Sequence, residues 1–265
     1  MGTFFDQKLI HVRKKAYSVK RTFLKVIPML FEKPKITLSM VVKNESDRYL
    51  GIMLADCRQY IHQAVIIDDG STDHTVDVIK ESLEGIPLTL IENPTSSFAN
   101  EILLRKQQWN ETIATSPEWI ISLDADEIFE ERFKRDLPAL VQQDSFDVIY
   151  FRLYDMWSET HYREDHIWKA HHMFRPFLIR YKPNIEYKWK ETPQHCGRFP
   201  ETILQFPYTC AYARLKHYGC AKREDRIAKY ERCMKLDPDG KYGWMDQYKS
   251  FLDENPNLVS WIEQE

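Results

Sequence analysis

The sequence lacks the features that would place it in a membrane, secreted or nucleic-acid-binding class. No stretch approaches the ~20 consecutive apolar residues of a membrane span, and the first residues contain no signal-peptide hydrophobic segment. No internal repeat and no low-complexity linker interrupts the 265 residues. The formal net charge of -3 is too small to indicate a nucleic-acid partner. We therefore expect a cytoplasmic protein that binds no nucleic acid.

The cysteines also form no pattern that would indicate disulfide bonds or a zinc site. The five cysteines are scattered, odd in number and without a Cys-x-x-Cys spacing, which favours free thiols in a reducing compartment. The chain does have material for a core, since 43% of its residues are hydrophobic and 13% are aromatic. Its length fits one large α/β domain, or a domain with an elaborated tail.

The first 34 residues differ from the rest in charge. Up to Lys35, nine Lys or Arg residues stand against two acidic ones. Apolar residues recur at spacings of three and four between Leu9 and Leu30, with an interruption near Pro28. The pattern predicts an amphipathic helix with a basic face. Such a helix could lie peripherally on the inner face of an anionic membrane, pair with a second copy of the chain, or pack on its own domain.

After Pro34 the sequence alternates short apolar runs with helical patterns. Ser46 or Asp47 could cap the first helix, and residues 98–115 form a longer one. Nearly all-apolar strands separated by helices favour a mostly parallel sheet with helices on both faces. Strands are predicted at residues 36–42, 64–67 and 88–91, and in a run that begins at Trp119 and ends at Asp124.

The second half of the chain has a less regular pattern. A helix at residues 133–141 and a strand at 148–153 are predicted to complete the sheet. Residues 154–218 are rich in Trp, Tyr, His, Arg and Pro, which indicates irregular loops and hairpins that cover a site. Helices are predicted again at residues 224–236 and 244–252.

Two carboxylates stand directly after the apolar run that begins at Trp119. Asp124 and Asp126 are one residue apart, so a strand that ends there delivers both to the carboxyl edge of the sheet. Ligands of open α/β folds bind at that edge. Paired carboxylate oxygens suit Mg²⁺ or Mn²⁺, which also coordinates substrate phosphates. The alternative is a solvated acidic turn, where Asp is common.

Three motifs follow successive strands in order. They are residues 39–45 (Ser-Met-Val-Val-Lys-Asn-Glu), 65–73 (Val-Ile-Ile-Asp-Asp-Gly-Ser-Thr-Asp) and 124–127 (Asp-Ala-Asp-Glu). Together they resemble the nucleotide-sugar half of a family 2 glycosyltransferase. The resemblance covers residues 36–129, and more weakly the rest of the chain. It implies the GT-A fold, a Rossmann-like, mostly parallel sheet flanked by helices, followed here by an aromatic-rich acceptor region and C-terminal helices.

The resemblance assigns residues to the nucleotide. Asp69 matches the carboxylate that accepts a hydrogen bond from the uracil N–H, and Val41 matches the residue whose backbone meets the base. Asn44 and Glu45 lie near the expected nucleotide pocket. Arg105 resembles the arginine that faces the pyrophosphate, although the glycine that often precedes its helix is missing here.

The same resemblance assigns a metal site. Asp124 would contact the ribose or the metal, and Asp126 would bind a divalent cation, Mn²⁺ or Mg²⁺, between the two donor phosphates. Glu127 either orients Asp126 or begins an acidic helix. His217 looks like the late histidine that completes the metal shell in GT-A enzymes, with a purely structural role as the alternative.

The acceptor side is assigned more loosely. An inverting transferase needs a base that takes the acceptor proton. Glu191 is our first candidate, Asp165 and His195 are its rivals, and Asp155 is a further one. Related sequences often have a His-Glu pair here, whereas His195 is followed by cysteine. Three tryptophans are candidate sugar platforms or core residues: Trp157, Trp168 and Trp189.

The sequence thus predicts a metal-dependent, inverting glycosyltransferase of the hexosyltransferase type. Its donor would be a nucleotide sugar, a UDP-sugar by the resemblance, and its acceptor a saccharide, a lipid-linked glycan or a protein. A catalytically silent GT-A module and a Rossmann-like methyltransferase are the alternatives. The methyltransferase is disfavoured because no glycine-rich loop follows the first strand. We expect a basic segment at residues 1–34 and one GT-A domain at 35–265, divided into donor (35–130), acceptor (131–220) and C-terminal helical (221–265) parts.

Overall fold

Four neighbouring parallel strands form the first half of the central sheet in the computed structural model, which describes residues 34–264. The predicted basic helix before Pro34 lies outside the described residues. The spatial order is β3-β2-β1-β4, and side chains from β1, β2 and β4 are almost all buried because helices cover both faces. The strands are β1 (Ile36–Val42), β2 (Gln63–Asp68), β3 (Leu88–Glu92) and β4 (Trp119–Ser122).

Helices connect these strands much as the periodicity predicts. They are α1 (Leu50–Cys57), α2 (Thr75–Ser82) and α3 (Glu101–Ala114), the last preceded by a 3₁₀ turn at Phe98–Asn100. The expectation that Ser46 or Asp47 caps α1 is wrong. That helix follows Tyr49 and has no side-chain cap, whereas the Ser46 hydroxyl donates to Asp73 at 2.8 Å.

Two of the four strands in the second half of the sheet come from residues 154–218, which the sequence predicted to be irregular, and a third lies at the predicted strand 148–153. The order continues from β4 as β8-β6-β9-β5, with β8 antiparallel to both of its neighbours. Four of the seven pairings are parallel, so the mostly parallel α/β sheet is confirmed. These strands are β5 (Glu127–Phe129), β6 (Val148–Asp155), β8 (Phe174–Arg180) and β9 (Tyr208–His217).

Residues 154–218 were therefore predicted wrongly in part. β8 carries Pro176, although proline is normally excluded from central strands because it has no N–H to donate. The proline lies opposite Tyr150, where the register of β6 shifts, and such an irregularity accommodates the missing N–H. A second, two-stranded sheet pairs β7 (His161–Arg163) with β10 (Leu258–Ser260).

The remaining helices are α4 (Arg132–Val141), α5 (Arg223–Leu236) and α6 (Met245–Ser250). Helix α5 contains no buried residue, which is unusual for an element that lies against a domain. Within residues 34–264, no helix has both the length and the apolar character needed to cross a membrane.

The hydrophobic core consists of separate clusters on the two faces of the sheet, because successive side chains of a strand point to opposite faces. Ile121 packs with residues of α1, α2 and α4 in the main cluster, whereas the preceding Ile120 packs with Trp109 of α3 on the other face. Trp157 and Trp168 form a third cluster with Tyr248 and lie about edge to face at 4.7 Å. Both are buried, so their interpretation as sugar platforms is wrong.

Candidate active site

A cavity of about 950 Å³ opens at the carboxyl ends of β1 and β4. Its walls come from the loops that follow these strands, from the start of α3, from the end of β9 and from α5. Because parallel strands end at one sheet edge, residues distant in sequence meet here. Seven sequence-predicted site residues line it: Val41, Asn44, Glu45, Arg105, Asp124, Asp126 and His217.

Asp124 is held between two arginines. Its carboxylate oxygens lie 3.5 Å from Arg105 Nη2 and 3.7 Å from Arg198 Nη2. Burial alone would favour the neutral acid, but the positive charges of Arg198 and Arg105 outweigh it and lower the pKa of Asp124 to about 2. Asp124 is therefore an anion at neutral pH.

The position of Asp124 depends on a buried ion pair beneath it. Arg198 donates to both oxygens of Glu127 at 2.8 Å and to the carbonyl of Ser122 at 2.9 Å. Glu127 in turn accepts the amide N–H of Asp124 at 2.8 Å. Such a bidentate pair is geometrically strict. Glu127 thus positions Asp124. Arg198 could not be predicted as a site residue, because it pairs with a glutamate 71 positions away in the sequence.

Asp126 lies opposite a histidine supplied by a distant strand. β5 pairs with β9 so that Glu127 faces His217, and the amide of Tyr218 donates to the carbonyl of Asp126 at 2.8 Å. His217 Nε2 then lies 3.6 Å from Asp126 Oδ2. The other ring nitrogen, Nδ1, lies 2.7 Å from Asp155 Oδ1. Histidine oriented in this way by a second carboxylate is a recurrent arrangement in metal sites.

The charges around His217 favour its protonated form when no metal is bound. Burial lowers the pKa of His217, but the carboxylates of Asp126 and Asp155 outweigh burial and raise the pKa above its ordinary value. The pKa of Asp155 shifts in the opposite direction. Burial would raise it, but the hydrogen bond to His217 outweighs burial and lowers the pKa below its ordinary value.

Gly219 leaves a small polar cradle between these groups. A Cβ atom at this position would lie 2.6 Å from Asp126 Oδ2 and 2.7 Å from His217 Nε2. It would also lie 2.7 Å from Lys229 Nζ of α5. Carboxylate oxygen and imidazole nitrogen 3.6 Å apart fit two ligands of one divalent cation after slight closure, since each bond is about 2.0–2.2 Å long. Asp126 and His217 therefore fit as ligands of a divalent metal ion. The positively charged ammonium group of Lys229 lies beside the same cradle.

Asp69 does not line the cavity. Its fully buried carboxylate accepts from the Ser97 amide at 2.8 Å and from the Ser96 hydroxyl at 2.5 Å, in the loop before α3. Gly70, beside it, has φ +76°, and a Cβ there would lie 3.3 Å from the Asn93 carbonyl. The aspartate thus fixes the loop that borders the cavity through Ser96 and Phe98.

Glu45 is the cavity carboxylate with the most perturbed protonation. Burial raises its pKa to about 7, although the ion pair with Arg48 at 3.1 Å opposes this. One of its oxygens, Oε2, is buried and has no hydrogen-bond partner. Asn44 beside it has φ +53° and accepts from the Thr72 amide at 2.8 Å, which joins the first two motif loops.

None of the four candidate bases lines the cavity, and Asp155 instead contacts His217 Nδ1. Glu191 is 65% exposed and pairs with Lys106 at 2.6 Å. His195 is exposed to solvent. Asp165 accepts a hydrogen bond from Arg163 Nε at 2.6 Å, near the third core cluster and away from the cavity. Trp189 is half-buried and packs against Trp109, which leaves its role as a sugar platform a prediction.

Residues 37–201 match the profile of the family described as Glycosyl transferase family 2. The chain belongs to this family. As a family 2 glycosyltransferase it has a GT-A-type fold, which agrees with the α/β sheet and with the order of the three motifs.

Individual relatives match only in part. An uncharacterised glycosyltransferase of Mycoplasma genitalium, MG060, is 27% identical over 134 residues, which are 51% of this chain and 41% of that protein. The chain thus spans less than half the length of this curated relative.

Two solved structures are similar at low identity. TarS of S. aureus is 14% identical with a TM-score of 0.46, over 77% of this chain and 40% of TarS. Glucosyl-3-phosphoglycerate synthase of Mycobacterium tuberculosis, in complex with Mn²⁺, UDP and phosphoglyceric acid, is 15% identical with a TM-score of 0.32, over 46% and 43% of the two chains.

Proposed function

We propose that this glycosyltransferase is inverting and metal-dependent, and that it moves a sugar from a UDP-sugar to an acceptor hydroxyl. One observation carries the proposal: Asp126 and His217, from different strands, meet at 3.6 Å in a cavity beside the arginine-held Asp124. A structural acidic turn would need neither the histidine nor the Asp155 carboxylate that orients it.

The donor would lie along the strand ends. We assign the base to Val41, Asn44 and the loop fixed by Asp69, and the ribose to Asp124. Arg105 lines the cavity beside Asp124, so its guanidinium can contact the diphosphate.

Asp126 and His217 would hold a divalent cation, Mn²⁺ or Mg²⁺. Such a cation, when bound, offsets the negative charge that a departing nucleoside diphosphate gains. Asp155 keeps Nε2 of His217 directed at the cradle, and Lys229 Nζ adds a positive charge that is already in place. These preorganised charges stabilise the leaving group without rearrangement during the reaction.

The acceptor proton requires a base that reaches the cavity. We favour Glu45 because it lines the cavity and has a pKa of about 7, near the operating pH that favours a general base. For Glu191, Asp165 or His195 to act, the surrounding segment would have to move toward the cavity. Their roles stay predictions.

Calorimetric titration of UDP with and without Mn²⁺ tests the proposal. The wild type should bind UDP more tightly with the metal, and Asp126→Ala should lose that gain, by at least about 10-fold in affinity, because it removes a ligand. Asp144→Ala is the matched control, since that side chain is 98% exposed. Binding that ignores both the metal and Asp126→Ala would refute the metal site. UDP-sugar turnover by the wild type would then separate an enzyme from a silent module.

A further inference from the structure

A second group of metal-ligating side chains lies away from the cavity. Glu164 follows β7, and His171 and His172 form the 3₁₀ turn Ala170–His172 before β8. One ligand atom from each of the three lies within 4.8 Å of the others. Glu164 Oε2 is 3.2 Å from His171 Nε2, and Glu164 Oε1 is 3.6 Å from His172 Nε2. None of the three lines the described cavity.

His171 points a buried nitrogen into this group. The residue is only 5% exposed, and its Nε2 has no hydrogen-bond partner within residues 34–264. It approaches Glu164 closely without hydrogen-bond geometry, as two ligands of one ion do. Aromatic packing fixes the ring: it stacks on Tyr154 at 4.8 Å and meets Tyr162 edge to face at 5.2 Å. A buried polar atom left without a partner is costly and calls for an explanation.

We propose that Glu164, His171 and His172 bind a Zn²⁺ ion. Two imidazole nitrogens and one carboxylate oxygen are a donor set that suits zinc, whereas Mg²⁺ and Ca²⁺ prefer oxygen ligands alone. Zinc bonds of about 2.0–2.2 Å place neighbouring ligand atoms at separations close to those between Glu164 and the two rings. His172 is 59% exposed, so a fourth position faces solvent and accepts water.

A further observation agrees with a metal ligand role. Glu164 is anchored through its backbone, because its amide donates to the Asn257 carbonyl at 3.1 Å and its carbonyl accepts from Asn257 Nδ2 at 2.6 Å. The ion would therefore join the end of the β7–β10 sheet to the turn that leads into β8.

The test uses the full chain carrying Asp126→Ala, which removes a ligand of the proposed donor-site metal. The protein is freed of metal with a chelator and titrated with Zn²⁺ against a chromogenic competitor. We expect one tight equivalent. His172→Ala and Glu164→Gln should weaken it by about 100-fold or more, since loss of outer-shell partners alone costs 10–100-fold. His166→Ala removes an exposed histidine outside the group and should leave the affinity unchanged.

Each outcome decides the proposal. Because His172 is largely exposed, its replacement leaves the core intact, and an unchanged circular dichroism spectrum verifies this. Co²⁺ in place of Zn²⁺ should give the visible absorption of a nitrogen- and oxygen-ligated tetrahedral ion, lost in His172→Ala. No tight Zn²⁺ binding, or equal affinity in all four variants, would overturn the site.

Discussion

Gly219 is the residue on which the proposed metal cradle depends most directly. Any side chain there would collide with Asp126, His217 and Lys229 at 2.6–2.7 Å, where contacts of this kind do not occur. The two ligand atoms must move apart to admit a methyl group, and coordination needs them closer. The proposed metal site therefore requires glycine at position 219 as well as the carboxylate of Asp126.

We predict that Gly219→Ala weakens Mn²⁺-dependent UDP binding by at least about 10-fold, as expected when metal ligands are displaced. Gly51→Ala is the matched control, since its Cβ would meet only Val78 at an ordinary 3.7 Å. That control should bind normally and stabilise α1 by up to about 1 kcal/mol, because alanine replaces glycine in a helix. Calorimetry and thermal unfolding measure the two effects. Normal binding by Gly219→Ala would place the metal elsewhere.

Local sequence was sufficient for some site residues and not for others. Asp124 and Asp126 could be predicted because their spacing follows directly from the end of an apolar strand. Arg198 and Lys229 could not, since neither has a motif around it and each reaches the site only through chain folding. Arg198 lies in a coil, where no periodicity marks a residue as buried.

At the scale of elements, α5 combines two properties that rarely occur together. It lines the cavity with Ala228, Lys229 and Arg232, yet none of its residues is buried. Its attachments include an ion pair between Asp225 and Arg48 at 3.3 Å and a hydrogen bond from Arg226 to the Cys220 carbonyl at 2.7 Å. Tyr230, Cys233 and Met234 pack on the third core cluster but stay only partly buried. Partly exposed ion pairs stabilise a helix by only about 1 kcal/mol each.

We predict that α5 opens more readily than α1, which buries four side chains, and that nucleotide binding slows its opening. Hydrogen exchange followed by mass spectrometry should show fast exchange across Arg223–Leu236 in the free protein. Exchange should slow by about 10-fold or more with UDP and Mn²⁺ if ligand contacts add about 1.4 kcal/mol. Peptides from α2, which lies outside the cavity, serve as the internal control. Exchange across α5 that stays fast with ligand would exclude it from donor binding.

At the scale of the whole molecule, the feature to explain is the basic segment before Pro34. Residues Lys33–Glu265 form one compact unit, and the candidate site is built from residues within it. We propose that residues 35–265 are a single GT-A domain that folds and binds UDP alone, and that the basic segment associates with an anionic membrane or a second copy.

Removal of residues 1–33 tests this division. We expect unchanged UDP affinity together with weaker binding to vesicles that contain anionic lipid, or with a lower sedimentation mass. Each basic side chain near such a surface contributes about 1 kcal/mol, so the loss should be greatest at low salt. Vesicle co-sedimentation and analytical ultracentrifugation provide the two readouts. Unchanged results in both would mean that the segment packs only on its own domain.

The sequence by itself determined the parallel half of the sheet, the order of its helices and the three motif loops. Each of these depends on residues adjacent in the chain, through apolar runs that end in polar turns. Only the tertiary structure decided that β8 and β9 enter the sheet, since their burial depends on strands far away in sequence. It also decided that Arg198 approaches Asp124 and that Lys229 lies beside the predicted pair Asp126 and His217. His217 reaches Asp126 through the pairing of β9 with β5, and pairing register has no signature in the local sequence. Arg198 comes from a coil and Lys229 from α5, and each reaches the site only through the folding of segments distant in sequence.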